Sequence, residues 1–385
     1  MKSLTWLLFG VFLFIGCQSD EDGPQEDNSQ SEEEIYFEDY AEVPQKWGYI
    51  DQLGKEIIPA KYDAVRNFKN GLAIVSERGK WGMIDTLGQW VIPPSYKGLW
   101  EFNEGLARVD VFEKGMGFIN INNEMVIDPQ FEEVYDFANR RARIREGAYF
   151  GYLNTKGNWI IKPEFESCFD FVDGIAIVKR NDKFELIDTS GNILSKRRYD
   201  RIQQFGKGHW VGILNNQSYP FDPKSKSFIG NGWSKTTAMH QGHFWTQKGD
   251  QWILLNELRK EISKSNAKRI RYAGLGYWIA QSSDGFLLLD KDGLPVTGEW
   301  YDQLNNFEDD RAVFYKNRRW GYLDANGQEI IPAQYFLNWD FKNGLARVAD
   351  ETGTYFIDIH GNKIVSSTYE DVRDFFDNRA RFQEL

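Results

Sequence analysis

The sequence predicts an all-β chain built of ten tandem units, and three observations carry that prediction. An aromatic or its replacement recurs at Trp47, Trp81, Met116, Phe150, Phe184, Ser218, Trp252, Phe286, Trp320 and Thr354, a spacing of 34 with a single 35. Four residues after each comes Asp51, Asp85, Asn120, Asn154, Asp188, Asp222, Asn256, Asp290, Asp324 or Asp358, kept even where the aromatic is lost. Between them lie short runs rich in β-branched and aromatic residues, and no segment sustains a helical period. A period of this length has to be recognised before any single element is assigned.

The first segment, residues 1–17, stands outside the fold. Lys2, the apolar run Leu4–Ile15 and then Gly16-Cys17 have the layout of a secretory signal. Twelve apolar residues are too few to cross a bilayer. The end "FIGC" resembles the lipobox of bacterial lipoproteins, with Phe14 where Leu is usual. That resemblance makes Cys17 the lipid-bearing residue, carrying fatty-acyl chains such as palmitate, and the membrane a partner. It leaves Cys168 as the one other cysteine, so no disulfide framework is available.

Residues 18–45 hold eleven acidic residues and neither Lys nor Arg, a composition expected of a self-repelling, disordered tether. "CQSDEDG" looks like the surface-export signal of Bacteroidota-type lipoproteins. The expected location is therefore the outer membrane, at the cell surface, with the periplasmic face as the alternative. The tether also explains the net charge of −11. Eleven of the 57 acids lie in it and one of the 46 bases is Lys2, so residues 46–385 hold 46 acids against 45 bases. A near-neutral domain has no broad basic field for phosphate backbones, which argues against nucleic acid as a partner.

From residue 46 the repeat takes over, in regular form through 46–183, divergent through 184–319 and regular again through 320–385. "GYID" and "EIIP" read as a hairpin closed by Asp-x-x-Gly, in which Asp or Asn makes an Asx-turn and Gly54, Gly88, Gly157, Gly191, Gly293, Gly327 and Gly361 supply φ > 0. "GLAIV" or "GLARV" is a third strand, entered through Tyr62, Tyr96, Phe131 or Phe165 and then Phe68, Phe102, Phe137 or Phe171. The anchors Trp47, Trp81, Phe150, Phe184, Trp252, Phe286 and Trp320 read as structural packing between units, since one unit cannot bury its apolar face alone. The Gly after each Trp allows a close approach.

The motif "WGYID" followed by "G…IIP…Y" and "F…GLA" resembles the WG-repeat family, clearly over 46–183 and 320–385 and by register between. The resemblance implies a repeat architecture and says little about activity. Ten units of three strands favour an open, twisting β array over a propeller, which commonly has four to eight blades of four strands. A closed or split propeller-like ring is the alternative, with "IYFEDYA" at 35–41 as a closing strand.

No G-x-S-x-G, phosphate-binding Gly-rich loop, H-E-x-x-H or C-x-x-C occurs, so no catalytic residue, metal or cofactor is assigned. His240 and His243 in "HQGH" have a spacing that serves a metal only with ligands from elsewhere, and read more simply as solvated or core-edge histidines. A ladder of equivalent Asp singles out no glycosidase pair.

The informative departure is in the middle units. Ala73, Ala107, Ala142 and Ala176, then Ala312, Ala346 and Ala380, share one strand position, and between them stand Trp210, Phe244 and Trp278. The residues before these three are His209, His243 and Tyr277, and the Gly of "WG" becomes Glu185, Tyr219, Ile253 and Leu287. One reading is compensatory repacking of the core. The other makes the six rings a candidate binding strip for protein or glycan. Alternation along a strand then puts Trp210, Phe244 and Trp278 inward and His209, His243 and Tyr277 outward. The expected function is a lipid-anchored, non-enzymatic binding or scaffolding protein. The alternatives are an accessory or hydrolytic component of carbohydrate processing with its site in residues 184–300, and a structural spacer.

Overall fold

The computed structural model describes residues 45–206, 208–366 and 371–383. Cys17, the acidic segment up to residue 44 and the stretch 35–41 lie outside the described residues.

The hairpins from the "GYID" strand to the "EIIP" strand turn where the sequence places an Asx-turn. The Asp51 carboxylate accepts from the amides of Leu53 and Lys55, both at 2.9 Å, and Asp85, Asn154, Asp324 and Asp358 do the same two and four residues on. A side-chain oxygen thus satisfies two turn amides that no strand partner reaches.

The strands assemble into ten small antiparallel sheets set in a ring about an axis, like a ten-bladed β-propeller. The all-β, ten-unit architecture is as the sequence predicts. Of the two arrangements, the chain takes the ring rather than the open array. Closure comes from Trp47–Asp51, which pairs with Arg379–Gln383 through five residue pairs from Trp47↔Gln383 to Asp51↔Arg379. Ile50 and Ala60 then pack with Leu345, Phe356, Val372, Phe375, Ala380 and Phe382, so the seam has an apolar core.

Three strands per unit is one too few for most blades. Seven of the ten sheets have four strands, because a further strand precedes the "GLA" strand, in four of the seven only two residues long, as at Ala64–Val65 or Glu133–Val134. Blade and repeat are also out of phase. In the second blade Ala64–Val65 and Leu72–Glu77 come from the unit anchored at Trp47, while Lys80–Asp85 and Trp90–Tyr96 come from the next.

Apolar clusters sit between neighbouring blades. Tyr49, Ile58 and Tyr62 of the first blade bury against Val65, Ala73, Val75 and Ile84 of the second, with Phe68 between them. The rings two residues after the anchor, at Tyr49, Phe118, Tyr152 and Tyr322, are fully buried. The anchors themselves, except Trp252, are half-buried at the margins of these clusters.

The Gly of "WG" has a specific partner. Its strand pairs with an "IIP" strand that bulges, as in Trp47↔Tyr62 followed by Tyr49↔Ile58. A Cβ at Gly48 would lie 2.4 Å from the Ile58 carbonyl oxygen, and at Gly82 2.6 Å from that of Ile92. Where Ile253 replaces the Gly, the outer strand pairs regularly from Trp252↔Ser265 to Leu254↔Ser263. Glycine and bulge are lost together, since only glycine leaves room for the displaced backbone.

Candidate functional site

The divergent arc occupies the sixth, seventh and eighth blades. The sixth begins with Arg201–Gln204, the seventh with His243–Lys248 and the eighth with Arg269–Gly274. The seventh sheet lacks the short leading strand, and an irregular stretch from Ser234 to His240 takes its place. Thr236 and Thr237 hold that stretch: the Thr236 hydroxyl donates to the Trp245 carbonyl at 2.9 Å, and the Trp245 amide donates to the Thr237 hydroxyl at 3.0 Å.

Opening over this stretch is a cleft of about 780 Å³, within the range of about 300–1,000 Å³ usual for small-molecule sites. Its walls carry Arg201, Lys235, Lys268, Arg269 and Arg271 and, among the described residues, no Asp or Glu. Hydroxyls of Ser218, Ser234, Thr236 and Thr237 and rings of Phe205, His240, Trp252 and Tyr272 complete it. A shallower hollow of about 400 Å³ elsewhere, around Asn139–Arg141 and Asn154–Lys156, is walled by the turns that every regular unit repeats and has no aromatic.

Three rings brace the cleft floor. His240 lies between His209, at 3.9 Å, and Tyr272, at 3.7 Å and nearly parallel, with Trp278 edge-on at 5.8 Å. Burial, with a smaller push from His209, lowers the His240 pKa to about 3, so its imidazole is neutral at physiological pH. Arg271 donates to the Leu304 carbonyl at 2.5 Å and to the Asn306 side chain, which fixes its guanidinium. Its burial and the nearby Arg269 charge both push its pKa down.

The six ring positions singled out from sequence separate as strand alternation requires. Trp210, Phe244 and Trp278 are 3, 0 and 1% exposed, and His209, His243 and Tyr277 are half-buried. Each of the outward three has a partner of its own. The His209 Nδ1 contacts the Met239 carbonyl oxygen at 2.8 Å, His243 reaches the Gln241 carbonyl oxygen at 3.0 Å, and Tyr277 stacks on Phe307 at 5.3 Å. The cleft is walled instead by residues that sequence reasoning passed over. Of the seven anchors, Trp252 borders it, and His240 of "HQGH" forms part of its floor. Among the described residues no group of three His, Cys, Asp or Glu is arranged to hold a metal.

The WG containing repeat matches residues 47–81, 81–111, 116–148, 150–184, 186–217, 320–350 and 356–384, more than half of the chain. The chain belongs to the WG-containing repeat family. No curated protein matches it. Among solved structures, the WG-repeat chain is similar to one described as the eukaryotic initiation factor, at 10% identity over 88% of this chain and 98% of that one, with a TM-score of 0.47. It is also similar to the computationally designed Ika8 protein, at 11% identity over 78% and 96%, with a TM-score of 0.35. A third is BamB from Moraxella catarrhalis, at 12% identity over 69% and 80%, with a TM-score of 0.28. The matched segments leave out 218–319, which contains most of the cleft.

Proposed function

We propose that this WG-repeat protein is a non-enzymatic binding module, held to the outer membrane by lipid on Cys17 and presented at the cell surface, and that the divergent arc is its recognition face. The observation that carries the reading is the cleft. Among the described residues it is a concavity of about 780 Å³ with clustered aromatic and charged walls, and it opens where the repeats depart from their own pattern. Regular blades are occupied with packing on one another, whereas residues 201–272 put rings, hydroxyls and cations around open space. Repeat architectures commonly bind through such departures on a rigid scaffold. The hydrolytic form of the carbohydrate-processing alternative would need a pair of carboxylates in this cleft, and among the described residues its walls carry none.

Two measurements test the proposal. Fractionation of cells carrying Cys17→Ser is expected to show the protein lost from membranes, and a processed, membrane-bound Cys17→Ser chain would refute the anchor. Capture of glycans and cell-surface proteins by the immobilised full-length chain is expected to fall with Gln203→Ala and Phe205→Ala together. The matching pair Arg140→Ala and Lys156→Ala, on a regular blade, is expected to leave capture unchanged. Equal capture by both variants would remove the divergent arc as the recognition face.

A further inference from the structure

We infer that the cleft of the divergent arc takes an acidic oligosaccharide, one whose carboxylate or sulfate groups meet Arg201, Lys235, Lys268 and Arg269 while its sugar rings lie against Phe205 and Tyr272. The inference deepens the binding role proposed above and rests on it.

Charge segregation is the first ground. Across residues 46–385 acids and bases nearly cancel, and some bases elsewhere pair with acids, as in Arg143–Asp170 at 2.7 Å or Arg180–Glu164 at 2.9 Å. In the cleft, Arg201, Lys235, Lys268 and Arg269 have no acidic partner among the described residues. Arg269 even works against Arg271, lowering the latter's pKa by like-charge repulsion. Such an arrangement makes the cleft locally positive and favours an anion over a neutral ligand.

The aromatic lining is the second ground. Phe205 is 52% exposed and Tyr272 half-buried, so both rings of the cleft wall keep surface open to solvent. A sugar ring laid on such surface buries it.

The type of anion follows from the layout. A phosphate site typically converges backbone amides at a glycine-rich turn, and no glycine lines this cleft. Here the cations come from three separate stretches, Arg201, Lys235 and the run Lys268–Arg271, and share the walls with hydroxyls and ring faces. That pattern suits a ligand with repeated charges on a hydroxylated, ring-built chain.

Titration calorimetry of the full-length chain with tetragalacturonate, a sulfated galactan tetrasaccharide and neutral maltotetraose tests the inference. One or both acidic sugars are expected to bind, the neutral one not, and the preference between them tells carboxylate from sulfate. Lys268→Ala with Arg269→Ala is expected to weaken binding by about tenfold or more, and added salt to weaken it further. Phe205→Ala removes an exposed ring of the cleft wall, and is expected to weaken binding several-fold at an unchanged thermal midpoint. Lys248→Ala with Lys260→Ala, outside the cleft, is expected to change nothing. Binding of maltotetraose alone would overturn the anion assignment and leave the recognition role standing. If no sugar binds while a protein ligand is captured through Phe205, the saccharide inference fails and the recognition role survives. Capture indifferent to every substitution in the arc would end both.

Discussion

At the residue scale, burial separates side chains that the repeat pattern treats alike. Trp81 is a half-buried anchor that stacks with Arg66 at 5.1 Å, while Phe118 is fully enclosed between blades. Phe118→Ala is therefore expected to cost about 3–5 kcal/mol, as large-to-small changes in cores do, and Trp81→Ala clearly less. Urea denaturation of the two variants checks the order, and an equal loss would contradict it. His240 makes stability depend on pH. Its folded pKa of about 3 lies below the unfolded value of 6.5, so the unfolded chain binds the extra proton. Its contribution is fully present above pH 6.5 and falls by about 1.4 kcal/mol per unit as pH drops from 6.5 toward 3. The stability difference between wild type and His240→Phe, measured from pH 7 to 5, is expected to shrink accordingly; parallel curves would place the proton elsewhere. Little of the cleft was legible from sequence at this scale. The alternation of His209 with Trp210 was readable, because a strand admits no other. That His209 would turn to His240 and Met239, and that Arg201 would come near Arg269, depends on the packing of separate blades. The one local trace was the basic run "KRIRYAG" at 268–274 in an otherwise neutral domain.

At the element scale, glycine and bulge form one unit. Gly82→Ala puts a methyl group 2.6 Å from the Ile92 carbonyl oxygen and 2.8 Å from the Pro94 nitrogen, so the outer strand has to shift. A loss of about 1–3 kcal/mol is expected, as for overpacking. Gly298→Ala, which meets nothing within 4 Å, is the control and is expected to be near neutral by thermal melting. The turns were fully legible, because Asp or Asn with a following Gly acts within five residues. The fourth strand was not: Ala64–Val65 and its counterparts are too short to show a pattern, and only pairing to Val75 and Ser76 makes them strands. The arginine braces also escaped notice. Arg108 donates to the Val134 carbonyl at 3.1 Å, Arg143 to Cys168 at 3.0 Å and Arg347 to Val372 at 2.7 Å, each reaching into the next blade. "GLARV" contains the arginine but not the neighbour's carbonyl.

At the scale of the whole molecule, closure decides how the chain unfolds. An open array loses units nearly independently, whereas a ring with a paired seam gives its blades two neighbours each. Removing residues 379–385 is expected to cost about 3–5 kcal/mol through Phe382 alone and to promote association through the freed edge of Trp47–Asp51. Denaturant midpoints and light scattering check this, and an unchanged midpoint would show that the seam contributes nothing. The choice of ring over array was illegible for a physical reason: a period reports the step from unit to unit, and closure depends on the sum of ten steps. The position of Trp47–Asp51 has a mechanical consequence as well. It is an inner strand, flanked by Glu56–Tyr62 on one side and Arg379–Gln383 on the other. A pull on the chain at residue 45 runs along that strand's own axis, so the hydrogen bonds of both ladders are sheared together, where a strand at a free edge would peel open one bond at a time. The blade that completes the circle is thus also the one placed to bear tension.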